Sequence, residues 1–133
     1  MKAREFEMGS RVEKAQQAYL ILIGMAHNRQ ITTYAGIAHL MGYENTTGFN
    51  YVGQLLWPVA AWCKHRKLPI LPAIVVNKKG GFAASDGIYG GPERWAAELQ
   101  RVFNHKWYSI YGPNEEELVE ALDWAKVSFT FEG

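Results

Sequence analysis

The chain has 133 residues, enough for about one domain that buries roughly two-thirds of its unfolded surface. Apolar residues make up 48% and charged residues 20%, and no polar low-complexity tract interrupts them, which excludes a disordered or fibrous chain. The net charge of +1 excludes a uniformly basic surface, so any nucleic-acid-binding face must come from local clusters such as Lys64 to Lys67 or Lys78 and Lys79.

Residues 4–28 read as one long helix. Phe6, Val12, Ala15, Tyr19, Leu22, Ile23 and Ala26 recur at steps of three and four, with Glu and Lys on the other side. Gly9 and Ser10 weaken its first turns, and the run His27 to Gln30 ends it. A second helix is expected within 31–42, with Thr32 or Thr33 as N-cap, Ile37, Ala38 and Met41 as its apolar face, and Gly42 as the stop. After a polar turn at 43–48, with a further cap at Thr46 or Thr47, a third helix begins near Phe49. It directs Val52, Leu55, Leu56, Val59 and Cys63 inward. Pro58 lies inside that pattern and either kinks the helix or opens a new one at its first position.

Ile70 to Val76 is apolar and β-branched, which predicts a strand. Asn77 to Gly81 is a turn, and 82–89 a weaker second strand. A fourth helix lies within 90–107, opened by Pro92 and lined by Trp95, Leu99, Val102 and Phe103. A fifth lies within 112–129, with Pro113 and the glutamates at 115–117 where the helix dipole favours negative charge. Helix, extended link, helix, turn, helix, strand, turn, strand is the order of a winged helix-turn-helix. The expected fold is therefore α+β and mainly helical, one domain over 1–133. Its winged-helix core spans about 12–90 with a β-hairpin wing, and a helical C-terminal extension covers about 91–128.

Four short segments carry a resemblance: Thr33 to Ala38 (TYAGIA), Tyr51 to Gly53 (YVG), Leu71 to Gly81 (LPAIVVNKKGG) and Ile88 to Trp95 (IYGGPERW). Their order resembles the DNA-binding domain of O6-alkylguanine-DNA alkyltransferases and alkyltransferase-like proteins, over about residues 31–105. The resemblance implies a DNA-binding winged helix. It also implies lost chemistry. Pro72 aligns with the proline of that family's Pro-Cys-His-Arg strand, so Ala73, Ile74 and Val75 stand at the nucleophile, histidine and arginine, and without a thiolate no alkyl group can be accepted. The family's intercalating arginine falls on Asn50, and the segment from Gly53 to Pro72 is several residues longer than the family's.

The residues themselves offer little catalysis. Cys63 and His65 are two apart on a helix and diverge, and Cys63 lies on the apolar stripe, where a buried thiol is the simpler reading. His27, His39, His65 and His105 lack ligand spacing, and the glycine pairs 80–81 and 90–91 match no phosphate loop. Asp86 before Gly87 and the acidic run at 115–117 read as turn chemistry and a solvated first turn. No metal, cofactor or catalytic constellation is expected. A single cysteine and a charged N-terminal stretch without an apolar signal core fit a cytoplasmic protein with no membrane span.

Binding is the more informative possibility. Asn50, Gln54, Trp57, Ala61 and His65 fall on the outward side of the third helix, with Lys64 adjacent and Lys67 just beyond. Asn and Gln can pair with adenine edges while lysines meet phosphates. The expected nucleic-acid-binding set is Tyr34, Asn50, Tyr51, Gln54, Lys64, His65, Lys67, Lys78 and Lys79, with duplex DNA as the ligand. The competing reading is a protein-interaction module, such as a phage or mobile-element inhibitor of a host nucleic-acid machine. Trp57 and Trp107 would then be its anchors.

Overall fold

The computed structural model describes residues 3–44, 46–76 and 91–128, with side chains placed over 11–44, 51–76 and 91–126. It is mainly helical. The elements are α1 (Ala3–His27), β1 (Thr32–Thr33), α2 (Tyr34–Leu40), α3 (Thr46–His65), β2 (Val75–Val76), α4 (Pro92–Asn104) and α5 (Glu115–Ser128). Short 3-10 turns occupy Leu71–Ile74 and Trp107–Ser109.

Local sequence explains most of the boundaries. The Thr33 hydroxyl accepts the Gly36 N–H at 3.0 Å and caps α2. Gly42 stops that helix with φ +91°, a conformation glycine adopts without the Cβ clash other residues meet. α3 starts at Thr46, three residues before the expected Phe49, and continues through Pro58. Pro58 therefore does not start a new helix; it removes the N–H that the Gln54 carbonyl would accept. Asn114 opens α5 reciprocally: its side-chain oxygen accepts the Glu117 N–H at 2.8 Å, and its own N–H reaches Glu117 Oε1 at 3.4 Å.

The expected strand from Ile70 to Val76 is corrected to two residues. Pro72, at the start of a 3-10 turn, has a fixed φ and no N–H, and Ala73 N–H closes back on the Ile70 carbonyl at 2.9 Å. Only Val75 and Val76 form a strand. They pair in parallel with Thr32 and Thr33, joining the segment to the entrance of α2. The second strand and the turn with Lys78 and Lys79 lie outside the described residues, so the winged helix stays a proposal.

One core binds all five helices. Leu22, Ile37, Leu55, Val59, Ile74, Val102 and Leu118 are fully buried, and Trp62 and Trp107 are 2% exposed. The C-terminal helices are therefore not an appendage. α5 lies along α3, placing Leu118 and Ala121 in the shared core. Gly112 approaches the Tyr19 ring so closely that a Cβ there would stand 2.5 Å from Tyr19 Cε1. The consequence for function is that α3 is the central helix. Residues 58–63 are buried in succession, on every side of the helix.

Candidate anion-binding cleft

The centrality of α3 divides its expected outward stripe. Gln54 and Trp57 are exposed, but Ala61 is fully buried, and His65 stacks on Trp124 of α5 with ring centroids 4.9 Å apart and planes 26° apart. Gln54 and Lys64 are ten residues apart on the helix, about 15 Å along its axis, with buried turns between them. The amide and ammonium groups expected to form one surface are thus separated. Asn50 has no described side chain, and Lys78 and Lys79 lie outside the described residues.

Other expected binding residues serve the fold. The Tyr34 ring rests over Gly53 of α3, within 3.7 Å of where a Cβ would sit, and packs on the core. Tyr51 meets Tyr43 edge to face at 5.8 Å. Burial, then the neighbouring Tyr43 phenol, raises the Tyr51 pKa, against the opposing influence of Arg11 and Lys14 of α1. Trp107 cannot anchor a partner: it is 2% exposed and its indole N–H donates to the Val102 carbonyl at 2.8 Å. Its ring closes the core against Tyr19, edge to face at 6.5 Å.

Charge gathers instead where α3 ends. A cleft of about 660 Å³ is lined by Lys64 and Lys67 at that end, Arg94 and Arg101 of α4, and Trp124 of α5, over a floor that includes Leu68 and Ile70. Four cations face one carboxylate, Glu98. Glu98 is already engaged, accepting the Ile70 N–H at 2.6 Å and meeting Arg101 at 2.6 Å. It fastens the chain after α3 to α4 and builds the wall of the cleft. Lys64, Lys67 and Arg94 make no ion pair among the described residues. Such a group raises the local potential for anions even in a chain of net charge +1.

The backbone adds to this. Leu68 N–H reaches the Cys63 carbonyl at 2.8 Å and Lys67 N–H the Lys64 carbonyl at 3.1 Å, the bonding of a Schellman stop, with Lys67 in the left-handed region at φ +58°. Opposite the cleft, Arg66 lies over the Trp62 ring and pairs with Glu117, which also accepts the Trp62 indole N–H at 3.3 Å. Of the acidic run of α5, Glu117 is thus a clasp on α3, while Glu115 and Glu116 are exposed as a solvated first turn would have them. Arg66, held by that clasp, is not among the residues that line the cleft.

Spacing along the chain points to Lys64 and Lys67 but misses Arg94, Arg101 and Trp124. The amphipathic pattern of α4 puts Arg94, Glu98 and Arg101 on one stripe, the available signal, yet nothing local says that this stripe meets the end of α3. The thiol of Cys63 is buried and pushed up to about 12, chiefly by that burial, which removes the thiolate a nucleophile needs. No group of three metal-ligating side chains occurs among the described residues, and no described helix is long and apolar enough to cross a membrane. Comparison with known proteins returns no matching family model, no matching curated protein and no matching solved structure.

Proposed function

We propose that this protein binds nucleic acid without acting on it chemically, in keeping with its resemblance to the alkyltransferase-like domain. The observation that supports this most directly is the convergence of Lys64, Lys67, Arg94 and Arg101 on one cleft. Phosphates are the ligand such a group suits, because each neutralised phosphate releases counterions and adds affinity that salt removes. Ala73, at the position of the resemblance's nucleophile, is fully buried, and its carbonyl accepts the Trp95 indole N–H at 2.8 Å. That segment serves packing and leaves no reactive group exposed. The test is a titration with labelled DNA and RNA at two salt concentrations. Binding that weakens with salt, and weakens further in Arg94→Glu, supports the reading; salt-independent binding, or none, removes it.

A second reading rests on a separate surface. Leu20 is 64% exposed, Tyr108 63% and Tyr111 97%. Tyr108 lies over the turn of α1 that follows Leu20, close to Gly24 and edge to face with His27 at 5.1 Å. An apolar face of this kind suits a protein partner. In that case Tyr111→Asp would abolish a complex that Arg94→Glu leaves intact.

A further inference from the structure

We infer that the cleft takes an unpaired strand, with backbone phosphates on Lys64, Lys67 and Arg94 and a base against Trp124. This rests on the nucleic-acid reading and specifies its substrate. Three observations carry it.

The first is what surrounds α3. Helical readers of duplex DNA lay one exposed helix into a major groove about 12 Å wide. Here α3 is buried all round over residues 58–63, and α5 covers its C-terminal half. On its expected outward stripe Gln54, Trp57 and His65 are exposed among the described side chains, but the turn buried on every side at 58–63 separates the first two from the third, and His65 is stacked on Trp124 of α5. No continuous described face is left to follow a groove.

The second is the shape of the charged region. The cations line a recess between α3 and α4 rather than a convex ridge. A recess admits one strand with its bases turned aside, while a duplex keeps its bases paired inside a stiff rod whose phosphates lie on the outside.

The third is chemical. Trp124 lines the same recess as the cations and is already stacked on His65. A base entering beside it meets an indole, and Leu68, Ile70 and Ala97 supply apolar contact. Aromatic platforms beside cationic grooves are how proteins hold single strands without reading sequence. Lys67 points the same way: a lysine occupies a left-handed position where glycine avoids strain, and it stands at the cleft wall. Arg101 and Trp124 have no counterpart in the motifs that carry the alkyltransferase resemblance.

The experiment compares three labelled ligands with equal numbers of phosphates, about 12: an oligothymidylate, a hairpin duplex, and an oligomer of the same length whose central thymidines are replaced by abasic sites. Fluorescence anisotropy is read on the whole chain at low and moderate salt. Expected is oligothymidylate binding at least about tenfold tighter than the duplex, with the abasic oligomer weaker than oligothymidylate by about tenfold. Trp124→Leu should remove the difference between base-bearing and abasic strands while leaving the salt slope. The abasic comparison needs no variant, so it holds even if Trp124→Leu fails to fold. Salt-sensitive duplex binding equal to or tighter than single-strand binding overturns this inference and leaves the broader reading standing. So does an abasic strand that binds as tightly as oligothymidylate. No binding to any of the three overturns both.

Discussion

Helices α1 and α3 close with the same backbone device. At the end of α1, Gln30 N–H reaches the Met25 carbonyl at 2.9 Å and Arg29 N–H reaches Ala26 at 3.0 Å; at the end of α3, Leu68 and Lys67 make the equivalent bonds to Cys63 and Lys64. Each helix places a cation in the left-handed position, Arg29 at φ +56° and Lys67 at φ +58°. Their side chains then part company. Arg29 donates to Asn104 Oδ1 at 2.9 Å and lies over the Phe103 ring at 6.0 Å, tying α1 to α4. Lys67 makes no such tie among the described residues and stands at the wall of the cleft. The same local rule thus yields a structural strap in one place and an available charge in the other. The left-handed strain has a fold-level reason at Arg29 and needs a functional one at Lys67.

The sharpest way to break this comparison is to reverse the charges. Lys64→Glu with Lys67→Glu is expected to weaken single-strand binding about a hundredfold at low salt. It should also lower the slope of log affinity on log salt by about 1.4, at about 0.7 for each phosphate left without its cation. Arg29→Glu should lose at most about threefold in affinity, with its damage appearing in thermal stability instead. Equal losses of affinity from both ends would remove the distinction.

A smaller effect tests the backbone device itself. Gly42 closes α2 with the same bonds, Tyr43 N–H to Ala38 at 2.8 Å and Gly42 N–H to His39 at 3.0 Å. Space is open around a Cβ there, so strain alone is at issue. Gly42→Val should cost about 1–2 kcal/mol in a denaturant titration. A neutral result would mean that a left-handed cation such as Lys67 carries no strain to explain.

Lys67→Gly then separates stability from binding. Glycine removes the left-handed strain and should raise stability by up to about 1 kcal/mol while weakening strand binding several-fold. Arg29→Gly gains the same backbone relief but loses the Asn104 bond and the Phe103 contact, so it should come out near neutral or destabilised. If Lys67→Gly binds as well as the parent, the lysine is there for the helix dipole alone.

How much of this was legible in the sequence divides along the same line. Helix stops, caps and apolar stripes depend on residues within one or two turns, so Thr33, Gly42 and the face from Val12 to Ala26 could be read directly. The strand from Ile70 to Val76 could not. Apolar runs of that length suit a strand or a buried 3-10 turn equally, and Pro72 with the Ala73 to Ile70 bond decides. The outward stripe of α3 failed for a different reason. Ala61 and His65 have the helical spacing of an exposed face, but Ala61 is buried in the shared core and His65, though exposed, is stacked on Trp124 of the distant α5. Lys64 and Lys67 were legible as a basic cluster. Their meeting with Arg94, Arg101 and Trp124 depends on packing among three helices, which no local pattern encodes.

The end of α4 supplies the smallest expected effect and reverses the sign of the charge argument. α4 closes at His105, whose backbone N–H reaches the Val102 carbonyl at 3.3 Å and whose ring lies edge to face on Trp107 at 4.5 Å. His105 Nε2 is buried without a hydrogen-bond partner, and burial, then the Arg101 guanidinium, lowers the imidazole below its ordinary value of 6.5. The unfolded chain therefore takes up a proton here before the folded one does. Stability from this group is fully present above pH 6.5 and is lost as pH falls through the window beneath it. His105→Phe keeps an aromatic ring against Trp107 but cannot titrate, so its stability should fall less between pH 7 and pH 5 than the parent's. Parallel curves would mean that His105 takes up its proton as readily in the folded chain as in the unfolded one, so that near pH 5 the end of α4 carries a cation as the ends of α1 and α3 do.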